Sequence, residues 1–228
     1  MIPLKDLQPR RSQAVVTLSL IFVNSIIFLY QLSLPARASD AFVMTYAAVP
    51  SKIAAALAGH HYTFAQALVP LLTCMFLHGG WLHIVGNMWF LWVFGANVEG
   101  RMGSASFLLF YLICGVGSSV AQMVFSWGSH VPALGASGAI SGVLGAYVVF
   151  FPTSRILTLV PLFIIWFTAR IPALLFIGLW FLIQFISGVG SLGIKNAGGV
   201  AWWAHVGGFI LGLALARTFA GAEGGFAF

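Results

Sequence analysis

The chain has 228 residues, of which 61% are hydrophobic and only 6% are charged, with a mean hydropathy of +1.02. So few charged residues cannot supply the polar surface that a soluble domain of this size needs. The composition therefore excludes a soluble domain and predicts several membrane spans. The formal net charge of +6 comes from basic residues scattered in short connections, which reflects membrane topology, and we expect no nucleic-acid partner.

The first of six predicted spans is Ala14 to Leu32, close to the length that a helix needs to cross the hydrocarbon core. A cleavable signal peptide is the alternative, because "ARAS" at Ala36 to Ser39 resembles a small-residue cleavage site. The apolar run is long for a signal peptide and favours a retained span. Residues 1–13 are predicted to form a short N-terminal segment ahead of a six-helix domain at 14–217.

The long connection from Ser33 to Gly80 is interrupted by prolines and charges, yet it is rich in alanine, phenylalanine and leucine. This composition predicts a loop on the membrane surface that contains short interfacial helices. The later spans are predicted at Trp81 to Val98, Ser104 to Phe125, Ser137 to Phe151, Ile171 to Ser187 and Gly199 to Arg217. The predicted fold is therefore an all-α membrane protein, a six-transmembrane-helix bundle with a long membrane-associated first loop.

Basic residues in the connections predict the orientation of this bundle. With the N-terminus in the cytoplasm, seven basic residues lie on that side and three on the other. The first group is Lys5, Arg10, Arg11, Arg101, Arg155, Arg170 and Arg217, and the second is Arg37, Lys52 and Lys195. Spans two, four and six then all begin at the non-cytoplasmic face, and residues 218–228 form a short cytoplasmic tail.

Polar side chains inside spans are costly and therefore indicate function. The set comprises His83 and Asn87 on span two, Ser137 and Ser141 on span four, Gln184 on span five, and His205 on span six. His83 and Asn87 share one helix face because they are four residues apart. Together with Ser137 and His205 they lie at a similar depth, about 5–10 Å below one membrane face. This common depth predicts a site shared by three helices.

Each of these residues alone also has a simpler interpretation. Ser137 begins a helix after a glycine-rich loop, where a serine is commonly an N-cap. His205 alone is compatible with a core histidine bonded to a carbonyl, and Asn87 with a hydrogen bond between helices. Their coincidence in depth favours chemistry over these interpretations.

Small residues recur every four positions on spans four and six. They are Gly138, Gly142 and Ala146 on span four, and Ala204, Gly208 and Gly212 on span six. Two such smooth faces can approach backbone to backbone. That approach would bring the Ser137 hydroxyl within hydrogen-bond reach of the His205 imidazole, as a serine nucleophile requires of its general base. Ser141, one turn deeper, is predicted to be a packing residue.

The chain contains four carboxylates, and Glu99 on span two lies about 18 Å from this site toward the cytoplasm. We therefore expect a Ser-His pair without a third member, in which packing holds His205. Donors for a developing oxyanion are the backbone N–H of Ser137, the amide of Asn87 and the imidazole of His83. Gly135 allows the preceding loop to approach them closely.

These residues resemble the motifs of the rhomboid family of intramembrane serine proteases. That family has a six-helix core, with GxSG at the start of the fourth helix, HxxxN on the second and AHxxGxxxG on the sixth. The sequence carries "GASG" at Gly135 to Gly138, "HIVGN" at His83 to Asn87 and "AHVGGFILG" at Ala204 to Gly212. The similarity runs from Leu32 through Arg217, although the first loop lacks the Trp-Arg pair of many members.

The resemblance implies a nucleophile at Ser137, a general base at His205, and oxyanion stabilisers at His83, Asn87 and the Ser137 backbone. It implies no metal or other cofactor. The glycines that would pack the loop and helices around the site are Gly135, Gly138, Gly142, Gly208 and Gly212. The implied substrates are single-pass membrane proteins, cleaved in or near their transmembrane segment after a small residue. The lipid bilayer is the other implied partner.

Span five carries the bulky side chains Phe176, Trp180 and Phe181 and a single interior glycine. It should therefore pack less tightly than spans four and six. Following the resemblance, we expect span five and the loop Ser126 to Leu134 to form a movable gate for substrates.

Three other functions compete with proteolysis. A non-catalytic relative that binds transmembrane helices is the main alternative, and the retained serine and histidine argue against it. Metal chemistry by His78, His83 and His205 lacks an HExxH motif and a nearby carboxylate. A transporter is less favoured because the spans lack charged residues for coupling ions. The compact chain without a transit-like N-terminus favours a bacterial inner membrane.

Overall fold

The computed structural model describes residues 1–9, 13–60, 62–162, 164–192 and 199–221. The helices in these ranges are α1 (Val15–Ser33), α2 (Ala36–Tyr46), α3 (Pro50–Leu57), α4 (Phe64–Thr73), α5 (Trp81–Phe90), α6 (Ala96–Met102), α7 (Ser104–Phe125), α8 (Ser137–Phe150), α9 (Ala173–Ser191) and α10 (Trp202–Leu215). The strands are β1 (Ile2–Asp6), β2 (Arg155–Leu162) and β3 (Ile165–Pro172). A 3-10 turn, Cys74–Phe76, follows α4, and a π-helical turn, Leu91–Gly95, joins α5 to α6.

Helices occupy all six predicted spans, as α1, α5 to α6, α7, α8, α9 and α10. Among the described residues, α1, α7 and α9 are each long and apolar enough to cross a membrane. The apolar helices α8 and α10 are shorter, with 14 residues each. The helical membrane bundle is therefore confirmed, whereas the number of six crossings stays a prediction.

The predicted surface loop contains the helices α2, α3 and α4. The last of these, with its 3-10 turn, forms a bent pair with Trp81–Met102 at an angle of 78°. Two hydrogen bonds fix the turn between them, because Gln31 of α1 donates to the His78 carbonyl at 3.3 Å and accepts the His78 N–H at 3.1 Å. This anchor sets the level at which α5 begins.

A three-stranded antiparallel sheet, in the order β1, β2, β3, is an element that the sequence analysis missed. The hairpin of β2 and β3 connects α8 to α9, and β1 pairs with β2, with Asp6 opposite Ile156. The buried Asp6 carboxylate accepts hydrogen bonds from Asn97 of α6 and from Ser154, just before β2. These bonds attach the small sheet to the bundle at the end opposite the Ser137 level.

Glycines bring α8 and α10 together backbone to backbone. A Cβ added at Gly208 would collide with the carbonyl oxygen of Gly138, and one at Gly212 with the carbonyl oxygen of Gly142. On its other side, Gly142 leaves room for Cys114 of α7, whose Cβ would lie 2.5 Å from an added Cβ. The crossing of α8 and α10 is therefore closer than a side chain at Gly208 or Gly212 would allow, and it positions the site.

Candidate active site

Ser137 is the first residue of α8. The loop before it contains a backbone conformation that glycine adopts more readily than other residues. Gly135 has φ = +118°, in the region that side chains disfavour, and its N–H donates to the Cys74 carbonyl at 2.9 Å. The N–H groups in the first turn of a helix have no partner within that helix. The backbone N–H of Ser137 is therefore available at the helix end, beside its own hydroxyl.

The hydroxyl of Ser137 and the imidazole of His205 are in direct contact. Ser137 Oγ lies 2.7 Å from His205 Nε2, with Ser137 half-buried and His205 buried. Since α10 begins at Trp202, His205 lies in its first turn. The close crossing of α8 and α10 thus places a nucleophile-type hydroxyl against a base-type imidazole.

The other ring nitrogen of His205 also has a partner, which the sequence analysis did not foresee. Gln184 of α9 is buried, and its Oε1 lies 2.7 Å from His205 Nδ1. The expectation that packing alone holds His205 was therefore wrong. No charged side chain was expected within reach of His205, but a glutamine amide oxygen accepts hydrogen bonds as a carboxylate does. The available signal was a glutamine inside a span.

His83 and Asn87 of α5 present polar groups to the same place. The N–H of Gly79 donates to His83 Nδ1 at 3.3 Å, so in a neutral ring the proton is on Nε2. A Cβ added at Gly135 would lie 2.5 Å from His83 Nε2 and 3.5 Å from Asn87 Nδ2. The Nδ2 group of Asn87 is buried and has no hydrogen-bond partner. Two N–H donors therefore face the loop immediately before Ser137.

The other serine of the motif, Ser141, has a structural partner. Its hydroxyl donates to the Ser137 carbonyl at 2.6 Å, and its side chain is fully buried. It lies in the interior of α8, where its backbone N–H is part of the helix. Ser141 accordingly serves packing in this structure.

The three predicted gate side chains face different neighbours. Phe176 packs against Phe90 and Phe94 of the second span, with ring centroids 6.4 Å apart in both pairs. Trp180 lies 5.9 Å from the His205 ring, and Phe181 stacks at 4.5 Å on Phe209 of α10. Among these ring contacts, those of Phe176 are the ones made with the second span.

A cavity of about 1200 Å³ contains the site. Its wall includes Ser137, His205, Gln184 and much of the loop Ser126 to Leu134. That loop is tied to the first loop, since Ala48 and Ala133 exchange backbone hydrogen bonds of 3.0 and 2.8 Å. The cavity is large enough for several residues of an extended chain.

His78, which the metal interpretation included, lies against His83 with ring centroids 5.2 Å apart. Burial of His78 lowers its pKa to about 4, and electrostatic repulsion from His83 contributes to a smaller extent. The ring of His78 is therefore neutral at pH 7. His205 instead contacts Ser137 and Gln184. Within the described ranges, no group of three histidine, cysteine or acidic side chains could hold a metal ion.

A family model of the Rhomboid domain matches residues 65–222, more than half of the chain. Rhomboid protease GluP of Bacillus subtilis (strain 168) is 36% identical over 154 residues, which cover 68% of this chain and 27% of that protein. RHOMBOID-like protein 4 of Arabidopsis thaliana is 33% identical over 146 residues, 64% of this chain and 32% of that protein. Presenilin-associated rhomboid-like protein, mitochondrial, of Homo sapiens is 36% identical over 89 residues, which cover 38% of this chain and 24% of that protein. The chain thus spans only about a quarter to a third of the length of these relatives.

Proposed function

The chain belongs to the rhomboid family, and from that premise we propose that it is an intramembrane serine endopeptidase with a Ser-His catalytic pair. Its proposed substrates are single-pass membrane proteins, cut in or near the transmembrane segment. The observation that carries the proposal is the 2.7 Å contact between Ser137 Oγ and His205 Nε2 in a membrane bundle. A hydroxyl becomes a useful nucleophile when an adjacent base accepts its proton.

The proposed reaction begins as His205 Nε2 accepts the Ser137 proton while Oγ attacks the scissile carbonyl carbon. The carbonyl oxygen becomes an oxyanion, stabilised by the Ser137 backbone N–H, Asn87 Nδ2 and His83 Nε2–H. His205 then gives the proton to the departing amine as the C–N bond breaks, which leaves an acyl-enzyme on Ser137. Water, deprotonated by the same imidazole, attacks the ester carbon. The bond from that carbon to Ser137 Oγ then breaks, His205 returns the proton to Oγ, and the acid is released.

The reaction needs no group beyond these side chains and water. The donors that would face the oxyanion lie beside Gly135, whose lack of a side chain makes room for the His83 ring. The unpartnered Nδ2 of Asn87 supports its assignment, because a buried donor without an acceptor is costly and a reaction intermediate would supply one.

The deciding experiment incubates the purified full chain with a transmembrane substrate, with and without a chelator. We expect Ser137→Ala and His205→Ala to remain folded and to lose cleavage by about 10³-fold or more. Ser141→Ala is the matched control, since it removes a hydroxyl from the same helix and should retain cleavage. A fluorophosphonate should label the wild type at Ser137.

Undiminished cleavage by Ser137→Ala would overturn the assignment, and inhibition by the chelator would favour metal chemistry instead. A wild type that binds transmembrane helices but neither cleaves them nor reacts with the fluorophosphonate would be a non-catalytic member of the family.

We also infer a cytoplasmic N-terminus, on the excess of basic residues in one set of connections, and a bacterial inner membrane stays a prediction. Of the ten basic residues in the two groups, Arg10, Arg11 and Lys195 lie outside the described part of the chain. Single cysteines introduced at Arg37 and at Arg155, in a chain without its native cysteines, test the orientation. A membrane-impermeant maleimide applied from outside should label position 37 only, and the reverse pattern would refute the orientation.

A further inference from the structure

We propose that Gln184 is a positioning residue, which holds His205 in the ring tautomer that a general base requires. This inference rests on the proposed function, since it concerns the same site. Its basis is the 2.7 Å contact between Gln184 Oε1 and His205 Nδ1, on the side of the ring away from Ser137. All of these groups are built into helices of the bundle.

A neutral imidazole carries one proton, on either Nδ1 or Nε2. Only the ring protonated at Nδ1 has a lone pair on Nε2 with which to accept the Ser137 proton. The amide oxygen of Gln184 is an acceptor, so it favours the proton on Nδ1 and leaves Nε2 free to act as the base. The opposite tautomer would donate to Ser137 Oγ and could not activate it.

The two tryptophans beside His205 in the described part of the chain do not offer this acceptor. The rings of Trp180 and Trp202 lie 5.9 and 6.3 Å from the imidazole centroid, and an indole has a donor but no acceptor. In the neighbourhood of His205 that the structure describes, Gln184 is thus the side chain that faces Nδ1. Its amide can also keep the bond as the ring becomes an imidazolium, because both nitrogens then donate.

The position of Gln184 on α9 gives the bond a second consequence. The same helix carries Phe176, which contacts the second span, so a displacement of α9 would withdraw the acceptor from His205. The orientation of the base thereby depends on the placement of the helix that we expect to gate the cavity.

The test compares Gln184→Leu, which lacks an acceptor, with Gln184→Glu, which keeps one on a side chain of nearly the same shape. Cleavage of a transmembrane substrate gives kcat and KM, fluorophosphonate labelling reports the nucleophile, and thermal unfolding in detergent reports the fold. Leu182→Ala on the lipid-exposed side of α9 is the control. We expect Gln184→Leu to lower kcat by about 10²-fold or more with little change in KM, because a misoriented imidazole disables the serine.

Gln184→Glu should recover most of the lost kcat and labelling, and Leu182→Ala should resemble the wild type. If Gln184→Leu fails to fold, Gln184→Ala provides the same comparison. An unchanged kcat without the acceptor, or an equal loss in a folded Gln184→Glu, would overturn the role of Gln184. Those outcomes require an active wild type, whereas a wild type inactive toward both substrate and label would overturn the proposed function itself.

Discussion

Asn87 illustrates how a single buried group can indicate chemistry. Its side chain is 8% exposed, and its Nδ2 has no partner. Folding normally avoids such an orphan because an unpaired buried donor costs about 1–3 kcal/mol. Under the proposed function, a reaction intermediate with a negative oxygen beside Gly135 would complete the hydrogen bond.

We therefore expect Asn87→Ala to lower kcat by about 10²-fold while KM changes little, because the lost hydrogen bond forms mainly in the transition state. Steady-state cleavage of a transmembrane substrate measures both constants. Asn24→Ala is a matched control, since Asn24 is also a buried amide but donates to the Leu20 carbonyl within α1. A loss of equal size in both folded variants would argue against a role in the oxyanion site.

The two serines of the "GASGAISG" stretch show why position on a helix matters more than residue type. Ser137 is at the helix start, where its hydroxyl reaches a neighbouring helix. Ser141 is one turn later, and its hydroxyl returns to the Ser137 carbonyl at 2.6 Å. The same functional group thus faces another helix in one case and its own backbone in the other.

At the scale of elements, α9 differs from the other helices around the site. Only 28% of its most apolar stretch is buried, against 44% for α7. It contacts the second span through Phe176, and it supplies Gln184 to the site. A helix with so little buried surface can separate from its neighbours at a lower cost than α8 or α10.

Fixing α9 to the second span should therefore block entry of protein substrates. We expect cysteines placed at Phe90 and Phe176 and joined by a short crosslinker to reduce cleavage of a transmembrane substrate by at least about tenfold, because the gating helix can no longer move. Fluorophosphonate labelling of Ser137 should persist, since a small probe needs no such opening. The native Cys74 and Cys114 are first replaced by alanine.

The uncrosslinked double-cysteine variant is the control, and reduction of a cleavable crosslinker should restore its activity. Unimpaired cleavage with the crosslink intact would show that substrates do not enter between these two helices.

The hairpin of β2 and β3 was not predicted, although its sequence is typical of strands. Its sequence, "RILTLVPLFIIWFTARIP", is rich in β-branched and aromatic residues, as strands are. This stretch lies between two predicted spans and is shorter than the roughly twenty apolar residues of a typical span, so it was not predicted as an element of its own. The third strand, β1, is much harder to predict, because five residues near the N-terminus acquire strand structure only by pairing with β2.

For the whole molecule, Glu99 joins three separate parts of the chain. Its carboxylate accepts the N–H groups of Val16 and Thr17 at 2.9 and 2.8 Å, at the start of α1. It also accepts the hydroxyls of Thr17 and Ser104, at 2.8 and 2.7 Å. A buried carboxylate with four donors completes the N-terminal end of α1 and attaches α1 to α6 and α7.

Glu99→Ala should accordingly lower the free energy of unfolding by about 3–5 kcal/mol, because it leaves several buried donors without an acceptor. Unfolding of the purified protein in mixed micelles by increasing SDS measures this loss. Asp40→Ala removes an exposed carboxylate from α2 and should change the stability by no more than about 0.5 kcal/mol. An equal effect of the two substitutions would refute the structural role of Glu99.

The sequence by itself determined where the helices of the bundle lie, and it predicted which polar residues share a depth. Hydrophobic length fixes the spans, and the spacing of His83 and Asn87 fixes their common face, because both depend only on the local geometry of a helix. It also indicated the crossing of α8 and α10, since glycines four residues apart make a smooth face wherever the helix is placed.

Only the tertiary structure decided what holds His205, how β1 pairs, and which of the bulky side chains on α9 meets the second span. These features depend on the rotation and separation of helices and strands that are distant in sequence, such as Gln184 and His205, 21 residues apart. Local periodicity does not specify such rotations, because they result from packing of all the elements together. The candidate nucleophile and base were therefore readable from the chain, whereas the group that orients the base was not.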